Sequence, residues 1–118
     1  MDRQTMKRVE AYIRVNKLEA VKQALEEIGV HGLSVEQVRG YGRQQGQTDH
    51  FRGSSYALNL VPKIKLDVVI EDESLDDVIT AVTEAAQTGE LGDGKIFVYD
   101  VLDAIRVRTG ERGEDALR

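Results

Sequence analysis

The fold of this 118-residue chain is decided by one stretch, IKLDVVIEDESLDDVITAVTEAA, at residues 64–86. Apolar and polar residues alternate from Ile64 to Ile70, which predicts a half-buried β-strand. The period then lengthens to that of a helix, whose apolar stripe comprises Leu75, Val78, Ile79, Val82 and Ala86. Ser74 followed by Asp77 resembles a capping box, so we predict that the helix begins there and ends near residues 88–89.

The same kinds of element are predicted on either side of this stretch. Alternation over residues 6–15 predicts a first strand. A helix should follow and stop at Gly29, since one stripe carries Leu18, Val21, Leu25 and Ile28. Residues 33–39 and 95–101 are predicted as further strands, and residues 105–108 are compatible with a short additional one.

The order β-α-β-β-α-β predicts an α+β fold of the ferredoxin-like type in a single domain spanning residues 1–118. In that fold, both helices cover one face of a four-stranded antiparallel sheet. The other face would carry apolar residues, namely Tyr12, Val38, Val69, Phe97, Tyr99 and Val101. Because such a face needs a cover, we predict that subunits pack through it.

Composition excludes several classes of function. Sixteen Lys and Arg residues stand against 21 Asp and Glu residues, and this acidic balance argues against a nucleic-acid binder. The absence of cysteine excludes disulfides and thiolate metal sites, and two histidines cannot form a multi-histidine centre. No apolar run approaches the ~18 residues of a membrane span, so we expect a cytoplasmic protein.

Residues 41–61 form a long polar segment without sustained periodicity. Loops above ~12–15 residues inside compact domains are usually functional or disordered, so we predict a functional loop. The alternative is a hairpin extension of the flanking strands. In both cases apolar side chains such as Phe51 and Tyr56 would be exposed and available to a partner.

Two glycine clusters and a basic pair have features of a phosphate site. Residues 40–46, GYGRQQG, permit close backbone approach but lack the dinucleotide spacing. Residues 88–95, TGELGDGK, could form a nest of N–H groups beside a lysine, or only a helix cap and tight turn. In extended chain Arg106 and Arg108 would share one face at roughly 6.6 Å, the spacing of neighbouring phosphates; the alternative is a solvated pair. The cationic candidates for binding a nucleotide are Arg43, Lys95, Arg106 and Arg108.

These motifs together resemble the PII family of nitrogen regulatory signal-transduction proteins, from residue 6 to about residue 110. The matching segments are TGELGDGKIFV at 88–98, GYGRQ at 40–44, RGSSY at 52–56, LVPK at 60–63 and RVRTG at 106–110. The resemblance implies a homotrimer of ferredoxin-like subunits that binds ATP or ADP in the clefts between neighbours. Residues 41–61 would be the long T-loop and residues 109–118 a C-terminal tail.

The resemblance also assigns ligand contacts. The phosphates would be held by Gly92, Asp93, Gly94, Lys95, Arg106 and Arg108, with Gly42 and Arg43 closing over them. Base and ribose would lie against Ser34, Asp67 and Val69. Gln44 would contact the Mg²⁺ that bridges ATP to the effector 2-oxoglutarate, and Lys63 would pair with a carboxylate of that effector. Gln45 departs from the lysine that is common in the family.

The implied output is regulation of an ammonium transporter or of nitrogen-assimilation enzymes through the T-loop, with Arg52 at its tip. A transporter partner would bring the protein to the membrane. Tyr56 corresponds to the tyrosine that a nucleotidylyltransferase modifies in many members, although Phe51 and Ser55 depart from that motif. The alternative role for Tyr56 is an unmodified docking contact.

Three other readings compete with this one. A divergent PII-like protein would sense a different small molecule, but Gln44 and Lys63 favour the nitrogen and carbon sensor. An RNA-binding ferredoxin-like module is opposed by the acidic balance. An enzyme would need a general base, for which Asp93 is the only candidate near the cationic cluster, and a turn role fits that residue better.

Overall fold

The computed structural model describes residues 5–40 and 60–118. The elements are β1 (Met6–Ile13), α1 (Leu18–Glu27), β2 (Ser34–Gly40), β3 (Val61–Glu71), α2 (Leu75–Ala86) and β4 (Lys95–Asp100). Short 3₁₀ segments cover Val15–Lys17, Asp72–Ser74 and Gly113–Leu117. In the described part of the chain, no helix is long and apolar enough to cross a membrane.

The four strands form one antiparallel sheet in the order β2-β3-β1-β4. One face carries the buried residues of β1 and β3, including Val9 and Leu66, and these pack against Val21 of α1 and Val78 of α2. Both helices therefore cover the same face, and the predicted ferredoxin-like arrangement is confirmed.

Three local predictions were wrong, each because a tight turn competes with the regular element. Val15 is not in the first strand but in a 3₁₀ turn, where it is 43% exposed. Ser74 does not cap α2 with its side chain, since the preceding 3₁₀ turn gives it helical backbone angles. Residues 105–108 do not form a strand: the Gly110 N–H donates to the Arg106 carbonyl at 2.7 Å, and Ile105 bridges to Arg112.

The sheet face without helices is more polar than the sequence predicts. Phe97 and Tyr99 are exposed there as expected, but they share the face with Glu10, which is only 5% exposed. Glu10 accepts a hydrogen bond from the Tyr99 hydroxyl at 2.7 Å and lies 3.2 Å from both the Lys65 and Arg8 nitrogens. The Tyr99 hydroxyl and the Lys65 ammonium outweigh burial and lower the pKa of the Glu10 carboxyl.

Candidate functional site

The loop at residues 88–95, between α2 and β4, is closed by the carboxylate of Asp93. This carboxylate accepts hydrogen bonds from the Thr88 N–H at 2.8 Å, the Thr88 hydroxyl at 2.6 Å and the Gly89 N–H at 2.9 Å. The Thr88 donors, with the Gly89 N–H and Arg14, hold the pKa of Asp93 well below its usual range. The turn role predicted for Asp93 is confirmed, and its side chain is directed into the loop.

Two cations from neighbouring strands bind the main chain of this loop. Arg14, just after β1, donates from Nη2 to the Leu91 carbonyl at 2.8 Å and from Nε to Asp93 Oδ1 at 3.1 Å. Lys63, near the start of β3, donates to the Gly92 carbonyl at 2.5 Å. Burial lowers the pKa of the Lys63 ammonium, and the nearby Arg14 charge adds to this effect.

Gly94 brings the loop against β1. Its φ is +106°, and a Cβ built there would lie 1.7 Å from the Tyr12 carbonyl oxygen. Only glycine tolerates both the backbone angle and the approach. Lys95 consequently pairs with Tyr12 at the edge of the sheet, and a cavity of about 280 Å³ between them and α2 is lined in part by Thr83 and Gln87.

Three residues predicted to contact base and ribose lie together on the open face. Ser34 is the register partner of Asp67, and Val69 lies two residues further along β3 on the same side. The Asp67 carboxylate already has a partner in the same chain, because it accepts a 2.7 Å hydrogen bond from Arg8 Nε.

Arg106 and Arg108 are not brought to the loop at residues 88–95. The Arg106 guanidinium binds the Glu111 carboxylate and the carbonyls of Asp115 and Arg118, and Arg118 in turn lies 3.1 Å from Glu71. Glu71 ends β3 whereas Lys63 lies near its start, so the two regions are roughly 26 Å apart at ~3.3 Å per residue. The prediction that Arg106 and Arg108 share one face of an extended chain was wrong, because a turn begins at Val107.

The remaining predicted site residues, Gly42, Arg43, Gln44, Arg52 and Tyr56, lie outside the described residues, as does most of the predicted T-loop. Among residues 5–40 and 60–118, no cluster of His, Cys, Asp and Glu could hold a metal ion. Sequence reasoning missed Arg14, which carries no motif of its own. Only the sheet topology places the end of β1 beside this loop.

Comparison with known proteins identifies the family. The model of the family described as "Nitrogen regulatory protein P-II" matches residues 6–111. The P-II protein of Rhodospirillum rubrum is 52% identical over 112 residues, covering 95% of this chain and all of the relative. P-II 1 of Methanothermobacter thermautotrophicus is 49% identical over 113 residues, covering 96% of this chain and 98% of the relative.

A solved structure agrees with these relatives. The crystal structure of Arabidopsis thaliana PII bound to citrate has a TM-score of 0.80 and 41% identity, and the match covers 96% of this chain and 92% of that one. Family model, relatives and fold all span nearly the whole sequence. The chain therefore belongs to the nitrogen regulatory protein P-II family.

Proposed function

We propose that this protein is a cytoplasmic regulator that binds ATP or ADP competitively in the clefts between subunits of a homotrimer. The observation that carries the proposal is the division of the cationic groups. Lys63 and Lys95 lie at one end of the sheet, whereas Arg106 lies beyond the other, roughly 26 Å away at ~3.3 Å per residue of β3.

A divided site of this kind needs more than one copy of the chain. One polyphosphate cannot span both ends, because its neighbouring phosphates are only a few ångströms apart. If copies associate head to tail around an axis, the loop of one subunit meets the arginines of the next, and three such contacts close a ring. The open face, where Phe97 and Tyr99 are 46% and 43% exposed, offers the surface for this packing.

We extend the proposal to 2-oxoglutarate and Mg²⁺. Gln44 would contact Mg²⁺ on ATP, 2-oxoglutarate would complete the coordination, and Lys63 would pair with a carboxylate of the effector. Lys63 already donates to the Gly92 carbonyl, so it lies beside the loop that would hold the phosphates. The citrate in the Arabidopsis PII structure supports binding of a small carboxylate by this fold.

The proposed output is regulation rather than catalysis. The engagement of Asp93 by Thr88, Gly89 and Arg14 leaves it unsuited to act as a general base, which supports a non-enzymatic role. Residues 41–61 would contact an ammonium transporter or nitrogen-assimilation enzymes, with Arg52 at the tip and Tyr56 open to nucleotidylylation. ADP would favour the binding-competent loop, and MgATP with 2-oxoglutarate a retracted one.

Subunit mixing tests the divided site. Lys95→Ala and Arg108→Ala chains should each bind ADP about tenfold or more weakly by calorimetry, since each loses a charge-assisted contact. When the two variants are unfolded together and refolded at equal amounts, about a quarter of the clefts should regain both groups. Light scattering should give about three times the 13.2 kDa chain mass.

Two controls complete the mixing experiment. Mixing Lys95→Ala chains with Lys95→Ala,Arg108→Ala double-variant chains should restore nothing, because no cleft can regain Lys95. A monodisperse monomer, or no recovery of tight sites in the first mixture, would exclude a cleft shared between copies.

A loop deletion tests the output separately. Removing residues 47–58 should abolish nucleotide-dependent retention on membranes that contain an ammonium transporter, while calorimetric ADP binding persists. Arg52→Ala should weaken the same retention. If the deletion variant keeps all partner binding and its nucleotide dependence, the effector surface lies elsewhere on the protein.

A further inference from the structure

Arg14 joins two parts of the loop at residues 88–95 with one planar group. Its Nη2 donates to the Leu91 carbonyl at 2.8 Å, and its Nε donates to the Asp93 carboxylate at 3.1 Å. A guanidinium presents these donors in a fixed fork, whereas a lysine ammonium is a point charge on a flexible stem. The contact spans 77 and 79 residues of sequence, so it fixes the loop to the end of β1.

The first contact orients a main-chain donor. All described peptide bonds are trans, and in a trans peptide the C=O and N–H point in opposite directions. Because the Leu91 carbonyl points toward Arg14, the N–H of Gly92 in the same peptide unit points away from it. Within the described part of the chain, this N–H makes no hydrogen bond. Among residues 5–40 and 60–118, nothing accepts from this N–H, whose direction the Leu91 contact fixes.

The second contact controls a negative charge. Asp93 lies between Gly92 and Gly94, where an approaching phosphate would meet its carboxylate and be repelled. Arg14 neutralises this carboxylate and, with Thr88 and Gly89, holds it inside the turn. The loop can then present N–H groups rather than a carboxylate to an anion.

We propose that Arg14 is a positioning residue for phosphate binding: its fork aims the Gly92 N–H outward and keeps the Asp93 carboxylate turned in. This inference rests on the nucleotide binding proposed above. Arg14 acts through the loop, so its shape matters as well as its charge.

Two variants separate shape from charge. Arg14→Gln removes both and should weaken ATP and ADP about tenfold by calorimetry. Arg14→Lys keeps the charge but not the fork, and it should still weaken both nucleotides roughly fivefold. Lys22→Gln is the matched control, because it removes one positive charge from α1, where the Lys22 ammonium lies 3.6 Å from the Glu19 carboxylate. Its affinities should equal those of the wild type.

Amide hydrogen exchange on the free protein gives a readout that needs no nucleotide. The Thr88 and Gly89 amides, which donate to Asp93, should exchange faster in both Arg14 variants, while core amides such as that of Val9 keep their protection. If Arg14→Gln fails to fold, Arg14→Lys carries both measurements.

The possible results distinguish the positioning role of Arg14 from the proposed nucleotide binding. Wild-type affinity in Arg14→Lys would reduce the role of Arg14 to charge and overturn the inference, as would unchanged exchange at Thr88 and Gly89. If the wild type binds neither nucleotide, the proposed function itself is wrong. Weakened binding in both variants, with faster loop exchange, supports the positioning role.

Discussion

Replacement of Gly94 by alanine should be among the most damaging single-methyl changes in this protein. The added Cβ would lie 1.7 Å from the Tyr12 carbonyl oxygen and 2.8 Å from its carbonyl carbon. Contacts below 3.0 Å essentially never occur for real Cβ atoms, and here the obstacle is backbone that cannot rotate aside. The loop or β1 must therefore shift by more than an ångström.

The expected loss in free energy of unfolding has two parts, backbone strain and steric overlap with β1. A non-glycine residue at φ +106° costs about 1–2 kcal/mol from backbone strain alone. The shift also disrupts the first rung between β1 and β4, where Tyr12 pairs with Lys95, and each lost hydrogen bond costs about 1 kcal/mol. Because one rung has at most two hydrogen bonds to lose, we expect Gly94→Ala to lower the free energy of unfolding by about 2–4 kcal/mol in total.

Gly89→Ala is the matched control. Gly89 has a similar φ of +89°, but nothing lies within 4 Å of its built Cβ. Its replacement should cost only the strain, about 1–2 kcal/mol. Urea unfolding of both variants at one fixed protomer concentration measures the difference, since the stability of an oligomer depends on that concentration. Equal losses in the two variants would refute the close approach of the loop to β1.

Three further predictions concern charged groups. Because the pKa of Asp93 is lowered in the folded protein, its carboxylate stabilises the fold when the pH is above its unfolded-state pKa of about 3.9, and this stabilisation is lost as the pH falls. Wild type and Asp93→Asn should therefore have different urea midpoints at pH 7, and the two midpoints should converge in acid. The pKa of Glu10 is also lowered, so Glu10→Gln should reduce the urea midpoint at pH 7 and have no effect on the midpoint in acid. Glu26 is exposed on α1, and Glu26→Gln should leave the urea midpoint unchanged at both pH values. 2-Oxoglutarate should bind with MgATP but not with ADP, each ligand tightening the other, and Lys63→Ala should abolish this binding; equal binding with ADP by calorimetry would contradict the assignment.

The sequence predicts the fold well because periodicity reports burial directly. Ile64, Leu66, Val68 and Ile70 alternate, and all four are buried under the helices. The predictions at Val15 and Ser74 were wrong because a 3₁₀ turn precedes each helix. Such a short turn leaves no periodic pattern in the sequence. Periodicity also missed the charges on the open face, because Glu10 is satisfied by Lys65 and Tyr99 from other strands.

The site is only partly readable from sequence. The glycines and the lysine at residues 88–95 predict a loop that could present N–H groups to a phosphate, and Asp93 was predicted as a turn residue. Their partners Arg14 and Lys63 are distant in sequence and reach the loop only through the order of the strands. The spacing of Arg106 and Arg108 pointed to a shared extended face, but Gly110, at φ +79°, accompanies a reversal of the chain there.

The proposed division of the nucleotide site between the two ends of each subunit would tie ligand binding to assembly. Within one chain, Lys95 and Arg106 lie at opposite ends of the sheet, so a separated chain would offer a nucleotide only part of the proposed contacts. A ligand that binds the assembled cleft and not the separated chain stabilises the assembly by about 2.7 kcal/mol per site at a hundred times its Kd. The proposed homotrimer would carry three such sites, and through this linkage nucleotide occupancy would stabilise the ring.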